Sequence, residues 1–466
     1  MNRGILMKKI GILLMTVLML TSTPVQAEVK SQPRIYSLIV DRFMNGTEKN
    51  NAHIINDKNN RLPYGGDFQG IQSKLDYIKD MGFNVIHLSP IFEHEQNDYL
   101  GYKIKSYDKI DDVYGGEKEF KALIKEVHAK GMKIVVDMPT IATDDFTQTQ
   151  SVSMNSYQKK YFGDTPIIDL HDQQNQRLYK EKMTDFADRY DVDGLSIYAL
   201  QNNLDAERLL PDLPMNIAIL NKGNQATHFD YVQKEETTLK LANGFKNTDQ
   251  PLPGPFASDE LLAADHFFMQ RFTKYAADEN MFPGTRIKLL MSFLLSQKQP
   301  MSMTYGTEIA MNGGDMPEMH QLLDFRTEKE VTDYLKTTAG VYDKYREMFD
   351  GKMKVLMNKE GSQVIHYDTD KVDFIYNLNN TSKATKIALG EDVVPRGKML
   401  NGLLIGDAIH EKDGKYNLIT NREEAELYAV VDERGLNLGY IIASAAIIIL
   451  FTTFIILAVR KSKRNK

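Results

Sequence analysis

The chain has 466 residues, with 57 Lys and Arg against 63 Asp and Glu, no cysteine and no tryptophan. The length is too great for one small domain and leaves room for a large core. The absence of cysteine excludes disulfides, thiolate nucleophiles and cysteine metal sites. Cations concentrate at the two ends (Arg3, Lys8 and Lys9; then Arg460, Lys461, Lys463, Arg464 and Lys466), so the body between them is acidic. Such a surface speaks against a nucleic-acid partner.

In chain order, Arg3, Lys8 and Lys9 precede the apolar run Ile10 to Leu20 and a polar stretch ending at Ala27. This is the pattern of a secretory signal peptide over 1–27, the run being short for a retained membrane helix. From Arg34 onward, apolar runs alternate with segments of helical period. Strands are expected at Ile35–Val40, Asn84–Leu88, Met132–Val136, Val192–Ile197 and Met301–Tyr305. Helices are expected at Ile71–Met81, Phe120–Lys130, Leu178–Tyr190 and Arg286–Ser296. Repeated βα units over this span predict an α/β (β/α)8 TIM barrel over 28–350. No Gly-rich dinucleotide loop follows any of the strands. Short alternating runs such as Gln363–Tyr367 and Val372–Tyr376 predict a small C-terminal antiparallel β domain over 351–431. The uncharged apolar stretch 436–459 reads as a C-terminal transmembrane helix, and 460–466 as its basic cytoplasmic tail. This arrangement predicts an extracellular body held to the cell membrane by a single pass.

Several segments resemble the α-amylase family (glycoside hydrolase family 13). They are Val40-Asp41-Arg42-Phe43, Gly65-Gly66-Asp67-Phe68-Gln69-Gly70, Leu88-Ser89-Pro90-Ile91-Phe92 and Tyr99-Leu100-Gly101-Tyr102, then Val113-Tyr114-Gly115-Gly116, Asp191-Val192-Asp193-Gly194 and Tyr305-Gly306-Thr307-Glu308. The resemblance implies a retaining glycosidase site, which needs two carboxyl groups about 5 Å apart. It places Ser196 at the family's orienting arginine and Tyr198 at its nucleophile, with Leu220 or Asn221 at its general acid. Phe267 and Phe268 stand where the family has a His-Asp pair, with Asp265 and His266 just upstream. Leu100 takes the place of the family's sugar-binding histidine. These positions read as degenerate, so no catalytic residue is assigned.

Asp41, Tyr99, Tyr102, Asp137, Asp265 and His266 remain as candidates for a residual pocket. Asp41 and Asp137 equally suit the capping or bracing of strand ends. Ile141 replaces a family asparagine that helps hold a structural calcium, so no metal or cofactor is expected. Three functions are open: a non-catalytic protein of carbohydrate recognition or a scaffold, an ancillary subunit of a membrane protein such as a transporter, and a divergent α-glucan hydrolase. The expected partners are a carbohydrate, a membrane protein and, through the terminal helix, membrane lipid.

Overall fold

The structure, a computed structural model, describes residues 32–51, 61–327, 329–433 and 438–464. The leader expected at 1–27 lies outside the described residues.

Seven parallel strands form one sheet. They are β1 (Arg34–Leu38), β2 (Val85–Leu88), β3 (Lys133–Asp137), β4 (Gly194–Ala199), β5 (Ile217–Leu220), β6 (Tyr231–Lys234) and β7 (Met301–Thr304), in the order β6-β5-β4-β3-β2-β1-β7. The eighth stave is shorter than a strand. Val232 bridges Glu260, and Leu262 bridges Met301, so segment 260–262 closes the gap between β6 and β7. The expected (β/α)8 barrel is therefore present. All of β1, β2, β4 and β5 is buried, as parallel strands covered on both faces must be.

Amphipathic helices cover the barrel where the sequence period is strong: Gly116–Ala129, Gln173–Arg189, Pro283–Ser296 and Glu330–Lys344. The helix expected over Ile71–Met81 is instead two, Phe68–Ser73 and Leu75–Asp80, which break at Lys74, where φ is −118°. Between β4 and β6 the wall thins to the four-residue helix Ala206–Leu209 and the short parallel pair Leu204–Asp205 with Ala226–Thr227.

The C-terminal domain is antiparallel, with a six-stranded sheet and a two-stranded one (Thr385–Gly390 with Lys415–Thr420). Its strands run from Lys352 to Asp432. Asn379 and Asn380 are both buried. Asn379 ends the strand Phe374–Asn379, and Asn380 Nδ2 donates to Gly244 O at 2.8 Å across the domain boundary. The fully buried Arg286 completes this joint: Nε donates to Phe245 O at 2.7 Å, Nη1 pairs with Glu423 at 2.8 Å, and Nη2 donates to Asn380 Oδ1.

The expected transmembrane helix is corrected. The segment does form a helix, Leu438–Arg464, but no helix among the described residues is long and apolar enough to cross a membrane. The single-pass topology, the extracellular body, the cytoplasmic tail at 460–466, and the lipid and membrane-protein partners all rested on this span and are withdrawn with it.

Removing one member of a buried charge pair leaves the other unpaired, at a cost of about 3–5 kcal/mol. Arg286→Ala is accordingly expected to lower unfolding free energy by that amount in urea titration. A loss under about 1 kcal/mol would show that the joint does not carry the load placed on it here.

Candidate active site

In (β/α)8 barrels the active site sits at the C-terminal ends of the strands. At the end of β3, Asp137 is fully buried. Its Oδ2 accepts from Tyr102 Oη, and its Oδ1 lies 3.0 Å from His87 Nε2 in a bent contact. His87 Nδ1 shares a hydrogen bond with Ser37 Oγ at 3.0 Å, and Ser37 Oγ shares another with Ser302 Oγ at 2.9 Å. A polar chain thus runs across the barrel through β7, β1, β2 and β3.

On β4, alternation sends both Ser196 and Tyr198 toward the axis. Ser196 is fully buried, and its Oγ has no partner among the described residues. Tyr198 Oη accepts from Phe267 N at 3.3 Å. The Tyr198 ring packs edge-on against Tyr102 at 5.7 Å, His266 at 5.6 Å and Phe268 at 5.0 Å. Burial, reinforced by the neighbouring Asp137 charge, pushes its phenol well above the usual range, so the hydroxyl keeps its proton.

At the end of β5, Leu220 is buried, and Asn221 exchanges a reciprocal amide pair with Gln158 at 2.8 and 2.9 Å. Beyond the closing segment, Asp265 Oδ2 accepts from Phe272 N at 2.9 Å, next to the helix Phe272–Asp278. His266 Nδ1 accepts from Phe268 N at 3.1 Å, and burial lowers its pKa to about 3. Phe267 stacks on His87 at 6.2 Å. Phe268 meets Tyr102 at 5.2 Å and Phe162 at 5.4 Å.

The structure therefore gathers Tyr102, Asp137, Tyr198, His266, Phe267 and Phe268 into one layer, all of them buried. Asp265 reaches the layer only through its charge on Tyr198. Asp41 is spent elsewhere. It accepts from Tyr64 N and Gly65 N at 2.9 Å, in a turn where a Cβ on Gly66 would fall 2.1 Å from Val40 O. Tyr99 faces the guanidinium of Arg42 at 4.0 Å and hydrogen-bonds His320 Nδ1 at 3.0 Å.

Sequence reasoning missed His320, whose Nε2 donates to Phe267 O at 2.9 Å, and the rings Tyr161 and Phe162 that back the layer. The aromatic pair at 161–162 was the one available signal, since His320 lies in an irregular loop with no motif around it. Near the layer, a cavity of about 390 Å³ is lined by Tyr99, Tyr161, Lys103 and Met316.

His266 generates a pH test. Its folded pKa, about 3, lies below its ordinary value near 6.5, so between these the unfolded chain binds more protons. The stabilising contribution is complete above about pH 6.5 and is lost as pH falls toward 3. His266→Asn keeps an acceptor for Phe268 N but does not titrate. In urea unfolding at pH 4 to 8, the wild type should lose up to about 1.4 kcal/mol more per pH unit than the variant below pH 6.5, and the two should run parallel above it. Parallel curves throughout would contradict a neutral buried His266.

Comparison with known proteins agrees with this geometry. Residues 37–184 match the model of the alpha amylase catalytic domain, and residues 351–428 that of the alpha-amylase C-terminal domain. A solved alpha-amylase from Anoxybacillus is 28% identical with a TM-score of 0.75, over 87% of this chain and 99% of that one. One from Geobacillus thermoleovorans, solved with acarbose, is 24% identical with a TM-score of 0.73, over 86% and 99%. A Beta/alpha-amylase of Paenibacillus polymyxa is 20% identical over 450 residues, 85% of this chain but 38% of its own length. The chain spans less than half the length of that relative and of other curated amylases it matches. The two matched regions and the closed barrel give this chain an alpha-amylase-type catalytic-domain fold followed by an alpha-amylase-type C-terminal β domain.

Proposed function

We propose that this chain uses an amylase barrel to recognise carbohydrate without cleaving it. The observation that carries this reading is Tyr198. The resemblance assigns its position to the nucleophile, and the side chain there is a protonated phenol whose ring closes the centre against Tyr102 and Phe268. A retaining pathway needs one carboxylate to attack and one carboxylic acid to protonate the leaving oxygen. Tyr198 supplies no carboxylate, and at the end of β5 Leu220 and Asn221 supply no acid. Asp137 is engaged by Tyr102 and faces His87, while Asp265 accepts from a backbone N–H. The sites called degenerate from sequence, Ser196, Tyr198, Leu220, Asn221, Phe267 and Phe268, accordingly serve as packing and hydrogen-bonding residues in this reading. Carbohydrate as the ligand class is supported by relatives solved with acarbose and with maltose.

The relatives' names favour a second reading, a divergent α-glucan hydrolase built on Asp137, Asp265 or Glu308. Losing groups that act as a unit leaves mainly binding effects, so the two readings differ by orders of magnitude in rate. The full chain should release no reducing sugar from starch, maltooligosaccharides or an activated aryl α-glucoside above an Asp137→Ala/Asp265→Ala/Glu308→Ala control. Turnover that this triple substitution abolishes would establish the hydrolase instead.

A further inference from the structure

Where the wall thins between β4 and β6, the loops after β4 and β5 meet. The short parallel pair sets Asp205 opposite Thr227, and bonds from Asn203 N to Gln225 O at 2.8 Å and from Gln225 N to Asn202 Oδ1 at 2.7 Å hold that register. His228, the next residue, therefore falls beside Asp205 although the two are 23 positions apart in the chain, with Nδ1 at 2.9 Å from Asp205 Oδ1. Glu207 completes the group. One ligand atom from each of Asp205, Glu207 and His228 lies within 4.8 Å of the other two.

Histidine and carboxylate pair elsewhere on this surface, but the other pairs fall short of three ligands. His366 faces Asp373 at 3.1 Å and His410 faces Glu433 at 2.9 Å. His128 meets two acids, Asp193 at Nε2 (2.9 Å) and Asp191 at Nδ1 (3.6 Å), on opposite edges of the ring that no single ion can bridge. Among the described residues, Asp205, Glu207 and His228 are the one set that brings three such atoms together.

Bonds of about 2.0–2.2 Å to an imidazole nitrogen and a carboxylate oxygen put tetrahedral ligand atoms about 3.4 Å apart. The Asp205–His228 contact has to open by only about half an ångström to admit an ion. An imidazole with two carboxylates suits zinc and its first-row neighbours, whereas calcium and magnesium prefer oxygen alone. The nearest competing cation is Arg208, whose Nε approaches Asp205 Oδ2 at 3.5 Å on a side chain 67% exposed, with room to turn away. Lys180 donates to the backbone oxygen of Glu207 at 2.6 Å and so leaves its carboxylate. A proton on Nδ1 also competes, since the hydrogen bond to Asp205 and the Glu207 charge raise the pKa of His228.

We propose that Asp205, Glu207 and His228 form a site for one zinc-class divalent cation, which clips the loop after β4 to the loop after β5. None of the three stands at the calcium position marked by Ile141.

The test is calorimetric titration of the full chain, dialysed against chelator, with zinc chloride and separately with calcium and magnesium chloride. One zinc per chain is expected, bound about tenfold or more tightly than either hard cation. Titrations in buffers of different ionisation enthalpy should show proton release that grows as pH falls from about 8 to 6, as zinc displaces the Nδ1 proton more often. His228→Asn, which suits the positive φ of 58° there, and Asp205→Asn, which keeps an acceptor for Glu207 N, should each weaken zinc binding about tenfold or more. Each should also abolish the rise in Tm that zinc gives the wild type. His410→Asn should change neither. Should either variant lose its circular dichroism spectrum, Glu207→Gln, at an exposed position, should still weaken binding severalfold. Absence of zinc uptake, or calcium bound as tightly as zinc, would overturn the site. So would zinc uptake that the Asp205 and His228 variants leave unchanged, an adventitious ion only, or that His410→Asn alone removes.

Discussion

A carboxyl group buried at the end of a strand must be met by donors, because leaving it unmatched costs several kcal/mol. Asp137 sets this condition for the centre of the barrel. Meeting it brings Tyr102 down onto the strand end and His87 beside it, and the rest of the layer packs on those two groups. Tyr102 presents its ring edge to Tyr198 and Phe268, and His87 offers a face to Phe267. Once the rings are in place the centre is buried, which keeps His266 neutral and the Tyr198 phenol protonated. The same residues that fill the space therefore determine its chemistry.

The barrel itself does not depend on these choices. Its strands are held by parallel ladders and by apolar faces on both sides, and the C-terminal domain is fixed by Arg286, Asn380 and Glu423 far from the layer. A fold secured in this way tolerates replacement of the groups at its strand ends. This is the general reason why fold alone does not settle activity.

Much of the fold was legible in sequence because period and burial coincide. The helices Gly116–Ala129 and Pro283–Ser296 and strands β1 to β4 stand within a few residues of their expected places. The eighth stave was not legible, since three bridging residues carry no periodicity. The break at Lys74 was hidden because both half-helices share one apolar phase. The candidate site was legible where a family motif carried it: Asp137, Tyr102 and Tyr198 do converge. Asp41 did not join them, because two backbone N–H groups in a glycine turn claim its carboxylate, a contact with no sequence signature. His320 reaches the layer through loop geometry alone. The terminal apolar run misled most, since its hydropathy alone carried the expectation of a membrane span that no described helix supports.

The central claim is that no carboxylate stands ready to attack a sugar at the ends of these strands. Intact-mass spectrometry after incubation with a 5-fluoro-α-glucosyl fluoride, which traps the covalent glycosyl-enzyme of a retaining enzyme, asks this of the chain directly. The account predicts an unchanged mass after prolonged incubation. A stoichiometric increase of one fluoroglucosyl unit, mapped to Asp137, Asp265 or Glu308, would contradict it.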